Sequence, residues 1–500
     1  MSTPTMEIAS FGGTGRLGGG GWIERENPAR VHEIVGRVEQ VDEAGAGRAV
    51  ELAHLASVGW ASTPVADRCA LLATAADAVA ARAEDLGPVL SRELGKVVAD
   101  CRGEMGFAAA MLRHCVAHAP EVLAATEVDD DLGRVRLLRV PYGVVVAIVP
   151  WNAPLILSIL KVAPALVCGN TVVVKPSPLA PLAVTEALAT IAELLPPGCL
   201  SVLHGGPAVG AALVAHPLVR KVAFTGGDVT ARAVGRAAAE AITPTVMELG
   251  GNDPAIVLDD APFDEAIMEA LVHGTFLTAG QVCMAAKRLY VPAARFDEFV
   301  ESYLAAADRV IMLGDPMDPG VTMGPLVSDA QRRHVAALVD GAVERGAVAH
   351  ELGGSTSDAD PELGYFLTPT LVTGCRPGDP LVVLEQFGPT VPVLAYDSID
   401  EVVAMANDSE LGLGSSVWSA DEDRAVAVAE RLEAGMTFIN CHNRAGMSLR
   451  VPFGGVKQSG FGREFGIVGI EEYTQLHAIH APAGVRHGAR LAANAYPGQA

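Results

Sequence analysis

The segment GVVVAIVPWNAPLILSILKVAPALVCGNTVVVKPS, residues 143–177, decides the fold class. It holds two short β-branched runs, GVVVAIV and NTVVVKP, and neither alternates apolar with polar. Runs that are apolar throughout belong to strands covered on both faces, which is the habit of parallel sheets. Pro150, Asn152, Pro154, Lys161, Pro164 and Asn170 interrupt the stretch, so no run of about 20 apolar residues exists and no membrane span is expected. Working outward, VRLLRV opens the β-rich texture at Val135. CLSVLHG and KVAFTGG follow, spaced by the helical stretches PLAVTEALATIAELL and AVGAALVAH. Upstream, from about Val41 to Ala119, the pattern is helical and alanine-rich, as in RCALLATAADAVAARAEDL. After Glu248 a second alternation runs through PAIVLDD, DEAIMEALVHGTF, RLYVPAA, a helix from Phe296 to Ala307, LTPTLVTG and TVPVLAYD. Two alternating halves predict an α/β protein of two domains with parallel-type sheets and a cleft between them, the usual home of cofactor and substrate.

Length and charge narrow the class. At roughly 150 residues per domain, a chain of 500 residues suggests about three units. Half of the residues are hydrophobic, which supplies a large core and excludes disorder. Lys+Arg number 36 against 59 Asp+Glu, a net charge of −23. Nucleic acid and anionic lipid both need a basic face, so neither is expected as a partner. The only lysines are Lys96, Lys161, Lys175, Lys221, Lys287 and Lys457. MSTPTMEIASFGGTG carries no basic or apolar signal region, and the eight cysteines form no CxxC pair; a soluble cytoplasmic protein with free thiols is expected. Gly13, Gly15 and Gly18 spell a literal GxGxxG, but Gly19, Gly20 and Gly21 follow in place of a helix. A mobile segment or hairpin is expected there, not a nucleotide site. His114 and His118 stand four apart on a helix with no third ligand nearby, so packing or surface roles are expected and no metal.

Three residues carry the chemistry. Cys283, in GQVCMAAKR, taken alone reads as a small buried hydrophobe. Glu248, in MELGGNDP, closes a strand-like run among apolar neighbours and precedes two glycines; such a carboxyl has a raised pKa and suits a general base. Asn152, in VPWNAPL, is an amide donor in an apolar segment, where an unpaired amide is costly. Thiol nucleophile, carboxylate base and amide donor together are the toolkit of acyl chemistry on a carbonyl.

The ordered motifs PWNAP (150–154), VVKPS (173–177), FTGG (224–227), MELGGN (247–252), GQVC (280–283), EQFGP (385–389) and PFGGVKQSG (452–460) resemble the NAD(P)-dependent aldehyde dehydrogenase superfamily. The resemblance runs from Asn27-Pro28 to about Tyr473, and Glu248 precedes Cys283 by 35 residues, close to that superfamily's spacing. It implies that Cys283 attacks the aldehyde to give a thiohemiacetal. The oxyanion is then held by Asn152 and the Cys283 N–H, and Glu248 activates the water that hydrolyses the thioester. Glu464, in GREFG, matches an acidic position that some members use to relay protons; its other reading is a solvated helix charge.

The resemblance assigns Lys175 to the adenosine ribose, Glu385 to the nicotinamide ribose, and Gly226 to the opening of the helix that faces the pyrophosphate. Pro150, Trp151, Ser177, Pro178, Gly210, Phe224, Thr225, Gly227, Leu249, Gly250 and Phe387 complete the expected NAD(P) site. Gly227 and Ala231 depart from the superfamily's serine and second glycine. Pro178 replaces a glutamate common in NAD-preferring members, so NAD+ is expected to win only narrowly over NADP+. Around the tunnel the resemblance places Ala153, Leu157, Leu160, Val282, Met284 and Phe453. The small Ala153 and Leu160 leave room for a bulky apolar or aromatic aldehyde, while Arg444 or Arg450 pairs with a substrate carboxylate if the substrate is a semialdehyde; the other reading of either is a solvated loop arginine. It further implies an NAD(P)-binding domain of 1–120 and 141–247, a catalytic domain of 248–452, and a bridging element of 121–140 and 472–490 that builds a homodimer or homotetramer. A CoA-acylating enzyme, which typically lacks the Glu248 position, and a non-catalytic relative are the alternatives.

Overall fold

The two valine runs become neighbouring parallel strands, Val144–Ile148 and Thr171–Lys175, in register from Val144 opposite Thr171 to Ile148 opposite Lys175. Side chains alternate across a strand, and here both faces are buried. Val145, Ala147, Val172 and Val174 enter a core with the helices Val65–Ala80, Val98–Val122 and Pro154–Val167. Val144, Val146 and Val173 enter a second core with the helices Glu43–Ser62 and Pro207–Ala215. This is why neither run shows polar alternation. The computed structural model describes residues 6–13 and 15–483.

Among the described residues the first sheet has ten strands, in the order Gly460–Phe461, Thr245–Glu248, Val219–Thr225, Val144–Ile148, Thr171–Lys175, Leu200–Val202, Met6–Gly12, Arg30–Glu39 and Trp22–Asn27, with Gly15–Leu17 paired to Met6–Gly12. The glycine-rich segment is thus a hairpin, Ser10 opposite Leu17. The first sheet also takes in Gly460–Phe461, which pairs antiparallel with Glu248 and Met247 from far along the chain. A seven-stranded sheet runs Val348–Glu351, Thr370–Thr373, Thr390–Tyr396, Ala286–Pro292, Asp253–Val257, Gly414–Trp418 and Met436–Ile439. All its pairings are parallel except Val348–Glu351 against Thr370–Thr373. A third sheet joins Thr126–Asp130, Gly133–Pro141 and Thr474–Pro482; residues 484–490 of the expected bridging element lie outside the described residues. No described helix is long and apolar enough to cross a membrane.

The start of one helix is anchored from outside. Pro154–Val167 has proline in its first turn and no side-chain cap of its own. Its first N–H groups, from Leu155 and Ile156, go instead to Glu104 Oε2 at 3.2 and 3.4 Å, a carboxylate held at a helix N-terminus by a neighbouring helix.

Candidate active site

Ligands of an open parallel sheet sit beyond the carboxyl ends of its strands. Ile148, Lys175, Thr225 and Glu248 are those ends here. Beyond them lie two cavities that share Asn152, Leu157, Thr225, Leu249 and Cys283. One, of about 280 Å³, is lined also by Pro150, Trp151, Gly226, Gly227, Gly250, Glu385 and Phe387, and by Gln331 and His334. The other, of about 120 Å³, is lined by Ala153, Leu160, Glu248, Val282, Met284, Arg444, Phe453 and Glu464, together with Lys96, Phe107, Ile156, Leu277, Met447 and Phe465. Cys283 stands where they meet.

The Cys283 loop follows three successive left-handed residues, Thr278 (φ 56), Ala279 (φ 54) and Gly280 (φ 67). Such backbone costs non-glycine residues about 1–3 kcal/mol each and persists only where packing imposes it. Buried Gln281 imposes it here: its side chain accepts from Val327 N at 3.0 Å and donates to Thr278 O at 3.2 Å. Asn152 Nδ2 donates to Gln281 O at 3.0 Å, which fixes the amide and leaves its second N–H for the cavity. Burial, with Glu385, Asp253 and Glu248 nearby, pushes the Cys283 thiol well up, against a hydrogen bond from Met284 N–H.

Glu248 is 3% exposed, and neither carboxylate oxygen has a hydrogen-bond partner. Burial, then the neighbouring Glu464 carboxylate, holds it well above the usual carboxylate range, against the pull of Lys161 and Arg463. Glu464 is no solvated helix charge. It is buried, precedes the helix Gly466–Glu471, and accepts from Lys161 Nζ at 2.6 Å. Lys161, fully buried, also donates to Thr225 Oγ1 at 2.6 Å. Lys161 is absent from the expected set, and its signal was a charged residue inside LILSILKVAPALV; lysine is almost never fully buried unless paired.

On the larger cavity's side, Trp151 and Phe387 pack edge to face with centroids 5.5 Å apart. Glu385 Oε1 accepts from Gly251 N at 3.0 Å, and burial raises its pKa to about 7. Gly250 and Gly251 admit this packing. A Cβ on Gly250 would lie 2.3 Å from Glu385 Oε2, and one on Gly251 would lie 2.3 Å from the Cys283 carbonyl oxygen. Gln331, also outside the expected set, donates to the carbonyls of Gln386 and Phe387 at 3.1 and 3.0 Å and so holds this loop. Lys175, Ser177, Pro178, Gly210 and Phe224 do not line either cavity. Lys175 is buried beside Gly210, its pKa lowered to about 8 by burial. Pro178 is exposed, and Ser177 Oγ accepts from Leu179 N at 3.2 Å. Phe224 packs beneath Gly226. The helix expected to open at Gly226 opens at Asp228 with Gly227 as its N-cap, because the chain leaves the strand only after Thr225.

The apolar wall of the smaller cavity is more aromatic than Ala153 and Leu160 suggest. Phe465 lies 6.0 Å from both Phe107 and Phe453, edge to face in each case. Arg444 lines the cavity but is already bonded to Asp100 at 2.6 Å. Arg450 is exposed and lines neither cavity. All eight cysteines are free, and among the described residues no group of His, Cys, Asp or Glu is arranged to hold a metal.

Residues 18–479 match the Aldehyde dehydrogenase family. The chain is 37% identical over 477 residues to geranial dehydrogenase of Castellaniella defragrans, covering 92% of this chain and 97% of that one. It is likewise 37% identical over 473 residues to 2-hydroxymuconic semialdehyde dehydrogenase of a Pseudomonas species, covering 91% and 95%. Among solved structures, an NAD-dependent aldehyde dehydrogenase from Sinorhizobium meliloti superposes with a TM-score of 0.91 at 31% identity, over 96% of this chain and 95% of that one.

Proposed function

The chain belongs to the aldehyde dehydrogenase family, and from that premise we propose that Cys283, Glu248 and Asn152 are its nucleophile, base and oxyanion donor in the oxidation of an apolar aldehyde. The enzyme is NAD(P)-dependent and yields the carboxylic acid. The observation that carries the assignment is Glu248: a buried carboxylate with both oxygens unpaired, lining the same cavity as the only cysteine there.

The residues of the larger cavity suit one part of a dinucleotide, with Lys175 outside its lining. Glycines at 226, 227 and 250 line it, Glu385 offers its second carboxylate oxygen, and buried Lys175 lies at the end of an adjoining strand. When bound, NAD(P)+ supplies the hydride acceptor. Glu248 takes the proton of the Cys283 thiol, which its surroundings keep protonated at rest. The thiolate adds to the aldehyde carbon, and the Asn152 N–H and the Cys283 N–H hold the oxyanion of the thiohemiacetal. Once the hydride has left, the acyl group remains on Cys283 as a thioester. Glu248 takes a proton from the attacking water, the C–S bond breaks, and the acid leaves. Its raised pKa makes Glu248 a stronger base than an ordinary carboxylate. The hydrogen-bonded Glu464–Lys161–Thr225 chain stands beside it, with Glu464 close enough to raise its pKa.

NAD+ is favoured narrowly over NADP+, since Pro178 neither bonds ribose hydroxyls nor repels a phosphate, while Lys175 serves either cofactor. The strand Thr474–Pro482 is exposed along most of its length, with Leu476 and Ile479 outward; such an edge supports a homodimer or homotetramer. The test of the reaction is NADH formation from a short aldehyde and NAD+, with and without CoA. Free acid without CoA is the expected product. Strict dependence on CoA would favour the acylating reaction, and no NADH at all would leave a non-catalytic relative.

A further inference from the structure

The smaller cavity's lining holds two cations, Lys96 and Arg444, and each is already matched by a carboxylate from one helix. Lys96 Nζ donates to Glu104 Oε1 at 2.7 Å, with both side chains buried. Arg444 Nη2 donates to Asp100 Oδ1 at 2.6 Å, tying the turn Asn443–Gly446 to the first turn of the helix Val98–Val122. Asp100 and Glu104 stand four residues apart, on one face of that helix. The second Glu104 oxygen takes two N–H groups of the helix that carries Ile156, Leu157 and Leu160. Of the remaining charged lining residues, Glu464 holds Lys161, and Glu248 has no hydrogen-bond partner. Among the described residues, no cation of the lining lacks a carboxylate.

The two pairs are not alike. Lys96 is sealed in, whereas the Arg444 side chain is 49% exposed and also lines a wider, more open cavity beside Glu269 and His273. Arg444 therefore stands where the cavity meets solvent. It is the cation that the far end of a long substrate would meet.

On the dehydrogenase reading of this site, we propose that Asp100 sets charge specificity: by holding Arg444 it denies that cation to a substrate carboxylate, so the cavity selects uncharged apolar aldehydes over aldehydes that end in a carboxylate. A carboxylated substrate reaching Arg444 would set its own charge beside Asp100 in the same shell, and like charges so placed oppose binding. An alkyl end meets no such cost and packs on Phe107, Phe465 and Met447.

The test compares kcat/KM for hexanal and 6-oxohexanoate, equal in chain length, in wild type, Asp100→Asn and Asp100→Asn/Arg444→Leu. Wild type should prefer hexanal by about tenfold or more, and Asp100→Asn should raise 6-oxohexanoate about tenfold while moving hexanal less than about threefold. Adding Arg444→Leu should erase that gain. A wild type that prefers 6-oxohexanoate, an unchanged ratio in Asp100→Asn, or a gain that survives loss of Arg444 would each overturn the proposal. The wild-type ratio decides even where the variant does not fold. Turnover of neither aldehyde would instead overturn the dehydrogenase reading beneath it.

Discussion

Replacing Lys161 with methionine keeps most of the length of the side chain and removes the only cation that, among the described residues, is bonded to Glu464. The variant leaves Glu464 and Glu248 buried, at 3% exposure each, with Arg463 the remaining cation that draws the Glu248 pKa down. Breaking a buried pair from one side costs about 3–5 kcal/mol. For cooperative unfolding of 500 residues, at about 2.1 cal/mol/K per residue, that corresponds to a fall in Tm of about 3–5 °C. The cost depends on pH with a definite sign. A carboxyl raised in the folded state binds more protons folded than unfolded, so stability falls as pH rises from the unfolded pKa towards the folded one. Glu248 is such a group, and Lys161, ahead of Arg463, pulls it down. Removing Lys161 raises it further and widens the window upward, so the Tm deficit should grow as pH rises from the ordinary carboxylate range into the neutral and alkaline range. The acid limb of the pH–rate profile should move to higher pH for the same reason. Lys161→Met/Glu464→Gln, which removes both charges, should recover much of the loss. Scanning calorimetry of the three proteins across that range checks this. An equal deficit at both ends, or a double variant no more stable than Lys161→Met, would refute the argument.

Asn152→Ala should lower kcat by about 10²–10³-fold, the size of one oxyanion donor, with the KM for NAD+ little changed in steady-state assays. Cys283→Ala should abolish turnover, and appreciable residual NADH formation would mean the nucleophile lies elsewhere. Gly250→Ala should raise the KM for NAD+ while sparing the fold, because its new Cβ meets the movable end of Glu385; Gly251→Ala should cost thermal stability as well, because its Cβ meets backbone. Lys175, lowered to about 8, is charged below that pH and loses its charge above it, so NADP+ should lose ground to NAD+ as pH rises through 8. Pro178→Glu should widen the NAD+ preference, measured as kcat/KM for both cofactors.

Much of this protein was legible because its strands are short, apolar and separated by helices, and because Asn152, Glu248 and Cys283 sit in motifs of fixed order. The sequence motifs pick out Glu464 and Thr225 but neither Lys161 nor its bonds to them, because that cluster is assembled from distance. Lys161, Glu464 and Thr225 come from a helix, a loop and a strand end, and only folding brings them together. The same holds for Phe107, Met447 and Phe465, and for Gly460–Phe461 at the edge of the first sheet. One signal for the buried charges was present. The chain carries six lysines, and Lys96, Lys161, Lys175, Lys221 and Lys287 are all buried. Where arginine serves nearly every surface need, a retained lysine marks an interior position that wants a compact ammonium.

The central claim is that Glu248 drives hydrolysis of an acyl group carried on Cys283. Mass spectrometry of intact Glu248→Gln, quenched after mixing with hexanal and NAD+, tests it most directly. The account predicts a burst of NADH of about one equivalent per active site, steady turnover slowed by about 10²–10⁴-fold, and a hexanoyl adduct on Cys283. Turnover at the wild-type rate with no adduct would contradict it.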